Sequence, residues 1–256
     1  MAVTESDARA TRMAQPTPKK SIPVTDRLIV ALDVESKADA QRVVDELGDT
    51  VHFYKVGLGL QFRGGIALAT ELKERGKKVF LDSKIYDVEA TTFAAVQSIT
   101  QLGMDFVTVH GNTSILKEAV RGRGSHQNPK ILAITVLTSL DDEDLVEMGY
   151  TVSVDKMVAY KTESAIKAGV DGVITSGLEA DLVRRLAEKL EYSLLIVTPG
   201  IRSPGVGRDE QKRVATPESA IKAGADYIVM GRQILRSKSR GDEAKRVLEM
   251  IDQALK

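Results

Sequence analysis

Apolar residues gather along the chain into eight short runs, separated by longer stretches in which apolar and polar positions recur at helical spacing. The runs are RLIVALD (27–33), HFYKVGL (52–58), KVFLDSK (78–84), DFVTVHG (105–111), KILAITVL (130–137), DGVITSG (171–177), SLLIVTPG (193–200) and DYIVMGR (226–232). Most are continuous rather than alternating, which is the pattern of strands covered by helices in a parallel sheet. The stretches between them read as amphipathic helices. SKADAQRVVDELG, with Ser36 as N-cap, and LEADLVRRLAEKL are two examples.

One internal echo turns this alternation into an architecture. ESAIKAGVDGVITSG (163–177) returns as ESAIKAGADYIVMGR (218–232), and ITQLGMDFVTVHG (99–111) is a weaker third copy. In the two strong copies a helix ends at Gly169 or Gly224, where glycine suits a left-handed cap, and a strand follows almost at once. Repeated helix–glycine–strand units, eight strands and 256 residues predict an α/β fold of the (β/α)8 TIM-barrel kind, in a single domain over 27–256. An open doubly wound sheet is the alternative.

Composition narrows the function classes. Lys+Arg and Asp+Glu are both 36, so no global basic excess points to nucleic acid or to a membrane surface. The absence of cysteine excludes disulfides, thiolate metal sites and a cysteine nucleophile, and three histidines make a His-rich metal centre improbable. No apolar run approaches a membrane span. The first 26 residues lack the apolar centre of a secretory signal and read as a flexible extension, so a cytoplasmic protein is expected.

Polar residues concentrate where a barrel keeps its chemistry, at the C-terminal strand ends. Those ends carry Asp33, Lys55, Asp82 with Lys84, His110, Thr138, Ser176, TPGIR (198–202) and GR (231–232). Positions i and i+2 of a strand share a face, so Asp82 and Lys84 are expected to project together into the barrel mouth, with Asp87 just beyond the strand. If the strands adjoin, Lys55, Asp82, Lys84 and Asp87 form an alternating charge array. Carboxylate neighbours favour a charged ammonium, which suits Lys84 to proton donation rather than to Schiff-base formation. Interleaved lysines also compete with Mg²⁺ for the carboxylates. After the seventh strand, the Gly-, Pro- and Arg-rich segment 198–213 carries Arg202. After the eighth, GRQIL (231–235) carries Arg232. Those two loops are the usual phosphate site of such a barrel. GLGLQF lacks the third glycine of a dinucleotide fingerprint, and Ser176 has no evident His–Asp partners.

At these residues the chain resembles orotidine 5'-phosphate decarboxylases of the bacterial type, from about residue 27 to the C-terminus. The most specific motif is DSKIYD (82–87), and ALD (31–33), YKVG (54–57), TVLTS (135–139), VTPGIR (197–202), DEQKRVATP (209–217) and VMGR (229–232) agree in order around it. The resemblance implies Lys84 as the acid that protonates C6, Asp82 beside the substrate carboxylate, and Lys55 completing the network and meeting the ribose with Asp33. It implies a homodimer in which Asp87 and Thr91 serve the partner's site. Thr138 is implied at the pyrimidine edge, with Arg202, Gln211, Gly231 and Arg232 on the 5'-phosphate. It implies no metal and no organic cofactor. The chain departs from the family pattern at Val88–Glu89–Ala90, where the loop loses a usual proline, and at Ser83, whose side chain is expected to face away from Lys84. Other readings of the same residues are a Mg²⁺-dependent sugar-phosphate decarboxylase or aldolase, a Schiff-base aldolase, and a non-catalytic nucleotide-binding barrel.

Overall fold

Each of the eight apolar runs becomes a strand in the structure, a computed structural model that describes residues 22–203 and 213–256. The strands are β1 (Leu28–Ala31), β2 (Phe53–Gly57), β3 (Lys78–Ile85), β4 (Phe106–Val109), β5 (Lys130–Ile134), β6 (Gly172–Ile174), β7 (Leu195–Thr198) and β8 (Tyr227–Met230). They pair in sequence order, all parallel, and β8 closes on β1 through Leu28 opposite Ile228 and Val30 opposite Met230. Closure rules out the open doubly wound sheet. It also removes every sheet edge, so no strand is left with an unpaired row of backbone groups.

Strand parity divides the core in two. Inward residues include Ile29, Phe53, Phe80, Phe106, Leu132, Val197 and Tyr227, which fill the barrel. Phe53 and Phe106 meet edge-to-face at 4.9 Å, and Phe106 meets Tyr227 at 5.1 Å, so aromatic rings plug the centre. Outward residues such as Val30, Tyr54, Val79, Leu81, Val107 and Ile196 pack under the surrounding helices. Burial on both faces is why the runs are continuous in sequence.

The helices begin and end where local chemistry dictates. The Ser36 hydroxyl accepts the Asp39 N–H at 3.1 Å and starts the helix Lys37–Leu47. Thr216 and Ser219 form a capping box around Pro217–Lys222, with proline in the first turn. Gly169 ends Val154–Ala168 in the left-handed conformation, at φ 77° and ψ 27°. A short helix, Val24–Arg27, straddles the end of the segment read above as an extension, and its Asp26 accepts from Lys78 Nζ at 2.7 Å. Residues 1–21 of that extension lie outside the described residues.

The echoed units owe their likeness to an aspartate as well as to their glycines. Asp105, Asp171 and Asp226 immediately precede β4, β6 and β8. Each accepts a backbone N–H from the preceding strand: Val79 at 2.7 Å, Ile131 at 2.8 Å and Ile196 at 2.9 Å. Each also pairs with a cation from the helix before that strand. Lys73 reaches Asp105 at 2.6 Å, Arg123 pairs with Asp171, and Arg184 reaches Asp226 at 2.7 Å. Three repeated clamps thus stitch neighbouring βα units at the N-terminal end of the barrel, away from the mouth. The position before β2 holds His52 instead, whose carbonyl accepts the Lys78 N–H at 2.7 Å.

Candidate active site

At the opposite end, the C-terminal strand ends enclose a cavity of about 280 Å³. Its lining includes Asp33, Lys55, Asp82, Lys84, Thr138, Arg202, Gly231 and Arg232. Eight of the residues singled out in the sequence therefore converge on one space.

The charges form a chain of contacts. Lys55, buried in the middle of β2, holds Asp33 at 3.1 Å and Asp82 at 3.4 Å, and Lys84 Nζ donates to Asp82 Oδ1 at 2.8 Å. Burial alone would push the Lys55 ammonium down, but Asp82 and Asp33 outweigh it and hold its pKa above the ordinary lysine value. For Asp82 burial pushes upward, while Lys55 and Lys84, with help from Lys84 and Thr108 hydrogen bonds, bring it below the ordinary carboxylate value. Lys55 and Asp82 therefore hold each other in their charged forms.

Membership of this array differs from the expectation in one respect. Asp33 completes it within the chain, whereas Asp87 does not. Asp87 is exposed in the loop after β3, where its Oδ1 accepts the Val88 N–H at 2.7 Å. Thr91 is exposed on the first turn of Glu89–Gln101. Neither lines the cavity. Gln211, expected at the phosphate, lies outside the described residues.

Lys84 also reaches Asp82 by a route that parity does not supply. Lys84 has φ 47°, a left-handed backbone that a lysine rarely adopts and that costs of order 1–3 kcal/mol. Pairing of β3 with β4 slips there: Leu81 stands opposite Val107, and Ile85 opposite Val109. The bulge turns Lys84 into the mouth while Ser83 points away, donating to Gln61 Oε1 at 2.9 Å. Thr138, by contrast, is not on a strand, because β5 stops at Ile134 and Thr138 sits in the loop beyond.

Several supporting residues lie inside motifs quoted above but were given no role of their own from the sequence. Gly57 is one: a Cβ there would stand 2.9 Å from both Asp33 Oδ1 and Lys55 Nζ, so any larger residue forces that ion pair to shift. Gln233 is another. It accepts the Ser203 N–H at 2.8 Å and donates to Ser203 Oγ at 2.6 Å, tying the loop after β7 to the short helix Arg232–Leu235 that follows β8. Arg213 pairs with Glu179 at 2.8 Å, both buried, and donates to the Leu137 carbonyl at 2.8 Å, which steadies the loop bearing Thr138. Arg213 stood inside a quoted motif, but nothing local marks its distant partners. Two further strand-end candidates, Ser176 and His110, do not line the cavity. Ser176 Oγ accepts the Leu178 N–H at 3.2 Å, and the His110 ring packs on Tyr86 at 5.3 Å between centroids. Among the described residues, no helix is long and apolar enough to cross a membrane.

A closed (β/α)8 barrel with a charged cavity at its C-terminal mouth has the layout of a barrel enzyme. The family model for the orotidine 5'-phosphate decarboxylase / HUMPS family matches residues 26–247, and the chain belongs to that family. It is 48% identical over 231 residues to an orotidine 5'-phosphate decarboxylase of Nitrobacter winogradskyi, covering 90% of this chain and 95% of the relative. It is 45% identical over 235 residues to that of Methylococcus capsulatus, covering 91% and 94%. The crystal structure of the Lactobacillus acidophilus decarboxylase superposes with a TM-score of 0.77 at 32% identity, covering 89% of this chain and 99% of that one.

Proposed function

We propose that this chain decarboxylates orotidine 5'-phosphate to uridine 5'-phosphate and carbon dioxide, a step of pyrimidine biosynthesis in the cytoplasm. The observation that carries the reading is the chain of ion-pair contacts Asp33–Lys55–Asp82–Lys84 at the cavity. When the C6–carboxylate bond breaks, its electron pair stays on C6 and carbon dioxide leaves. The Lys84 ammonium stabilises that charge and transfers a proton to C6, then regains one from solvent. Asp82, held ionised by two lysines, penalises the bound substrate carboxylate and favours its departure. Lys55 and Asp33 take the ribose hydroxyls, and Thr138 reads the pyrimidine edge.

Arg202, Gly231 and Arg232 grip the 5'-phosphate together with Gln211, and binding energy gained there organises the charges around C6. Asp87 and Thr91 complete the site of a second copy in a homodimer, a reading supported by their exposure and by their absence from the cavity lining of their own chain. The chemistry needs no electron sink beyond these groups. Each carboxylate of the array already has a lysine partner, which argues against the Mg²⁺-dependent sugar-phosphate reading.

The test is the fall in pyrimidine absorbance when orotidine 5'-phosphate meets the protein in the presence of a chelator. Turnover is expected, with Lys84→Ala abolishing it while uridine 5'-phosphate still binds. Near-normal turnover by Lys84→Ala would overturn the assignment of the proton donor. Chelator-sensitive turnover of a sugar phosphate, with none of orotidine 5'-phosphate, would overturn the reaction.

A further inference from the structure

Opposite the three bulged residues Asp82, Ser83 and Lys84 stands a single residue of β4, Thr108. It is fully buried and does not line the cavity. Its hydroxyl accepts the Lys84 N–H at 2.9 Å and donates to Asp82 Oδ1 at 3.0 Å. One oxygen thus holds the strained backbone of the lysine and the carboxylate to which that lysine's ammonium is bonded. The donor and acceptor capacities of a hydroxyl are both used, and in opposite directions, so no other orientation of the group satisfies both partners. A β-branched side chain has few rotamers, which fixes the oxygen on the strand.

We propose that Thr108 is a positioning residue for the decarboxylation. It braces the bulge so that Lys84 Nζ and Asp82 keep their mutual geometry as charge develops on the substrate. The inference rests on the functional reading above. Without the hydroxyl, the Lys84 N–H has no partner in the buried wall, and the left-handed backbone loses the bond that compensates its strain. The bulge then relaxes toward regular pairing, which swings Lys84 off the cavity. Thr108 touches no substrate in this account, so substrate binding is preserved while the chemical step slows.

The experiment compares Thr108→Val, which keeps the shape and loses the hydroxyl, with Thr108→Ser, which keeps the hydroxyl. Kinetics with orotidine 5'-phosphate are measured together with hydrogen–deuterium exchange at the Lys84 amide. Valine is expected to lower kcat by about tenfold to a hundredfold, the range for a lost hydrogen bond to a charged group, with KM nearly unchanged. It should also speed exchange at Lys84, and serine should restore both. Wild-type kcat and wild-type exchange in Thr108→Val would overturn the proposal. So would equal losses of kcat and of thermal stability in both variants, since Thr108 would then matter only for packing. An inert wild-type protein would instead sink the functional reading, and exchange at Lys84 would still decide whether the hydroxyl holds the bulge.

Discussion

Replacing Asp226 by alanine tests whether the barrel keeps stability and chemistry at opposite ends. The carboxylate is 5% exposed and serves two donors, Arg184 Nη2 at 2.7 Å and the Ile196 N–H at 2.9 Å. Removing it orphans a buried backbone N–H and leaves Arg184 without its counter-ion. Breaking a buried pair by removing one partner costs about 3–5 kcal/mol. Arg184 keeps hydrogen bonds to the carbonyls of Leu194 at 3.1 Å and Gly224 at 2.9 Å, so the lower end of that range applies. A loss of about 3 kcal/mol lowers Tm by roughly 6–12 °C in a domain of this size. Urea and thermal unfolding followed by circular dichroism measure the loss. Adding Arg184→Met should recover part of it, because the uncompensated charge goes too. Turnover per folded molecule should stay at the wild-type level. A Tm shift below about 2 °C, or a fall in kcat of the folded variant, would refute the division of roles.

The remaining expectations concern the mouth of the barrel and its acid response. Gly57→Ala puts a methyl 2.9 Å from Asp33 Oδ1 and Lys55 Nζ. Both are ends of movable side chains, so the fold should survive while the ion pair shifts, and kcat/KM should drop by about tenfold or more. Unchanged kinetics with unchanged circular dichroism would show that the close approach is harmless. His110 is held down to about 4 in the folded protein, chiefly by burial and then by the Lys161 charge. Its folded value is depressed, so its contribution to stability is complete above the unfolded value near 6.5 and is lost as pH falls toward 4. The urea midpoint should therefore drop across that window, and His110→Gln should flatten the drop. Parallel curves for the two proteins would exclude His110 as its source.

Local signals made the framework legible. A strand buried on both faces must be apolar throughout, so β1 to β8 announced themselves. A helix needs its caps, so Ser36 and Gly169 marked their ends correctly from sequence. Candidate residues at strand ends were found for the same reason: a parallel barrel brings all its C-terminal ends to one rim. What local pattern could not supply was which rim residues touch. Asp33 rather than Asp87 joins the array, because Asp33 follows β1, the neighbour of β2 on which Lys55 sits. Arg213 and Glu179 meet across 34 positions of chain, and only the fold brings them together.

The echoed segments show where that boundary runs. Their sequence contains the aspartates, and recurrence alone identified a repeated unit. That Asp105, Asp171 and Asp226 each bind a neighbour's backbone and a neighbour's cation is a property of register, since their partners belong to other units. Lys84 is the same case at the site. The order Asp-x-Lys established that the two charges are close, because two residues of chain cannot separate them. The way they meet was decided by β4, whose single Thr108 faces three residues of β3 and turns the lysine into a left-handed bulge. Short-range sterics write strands, helices and caps into any window of the chain. Register and closure emerge only when all eight strands compete for the same space, and they select the partners that make a buried charge tolerable.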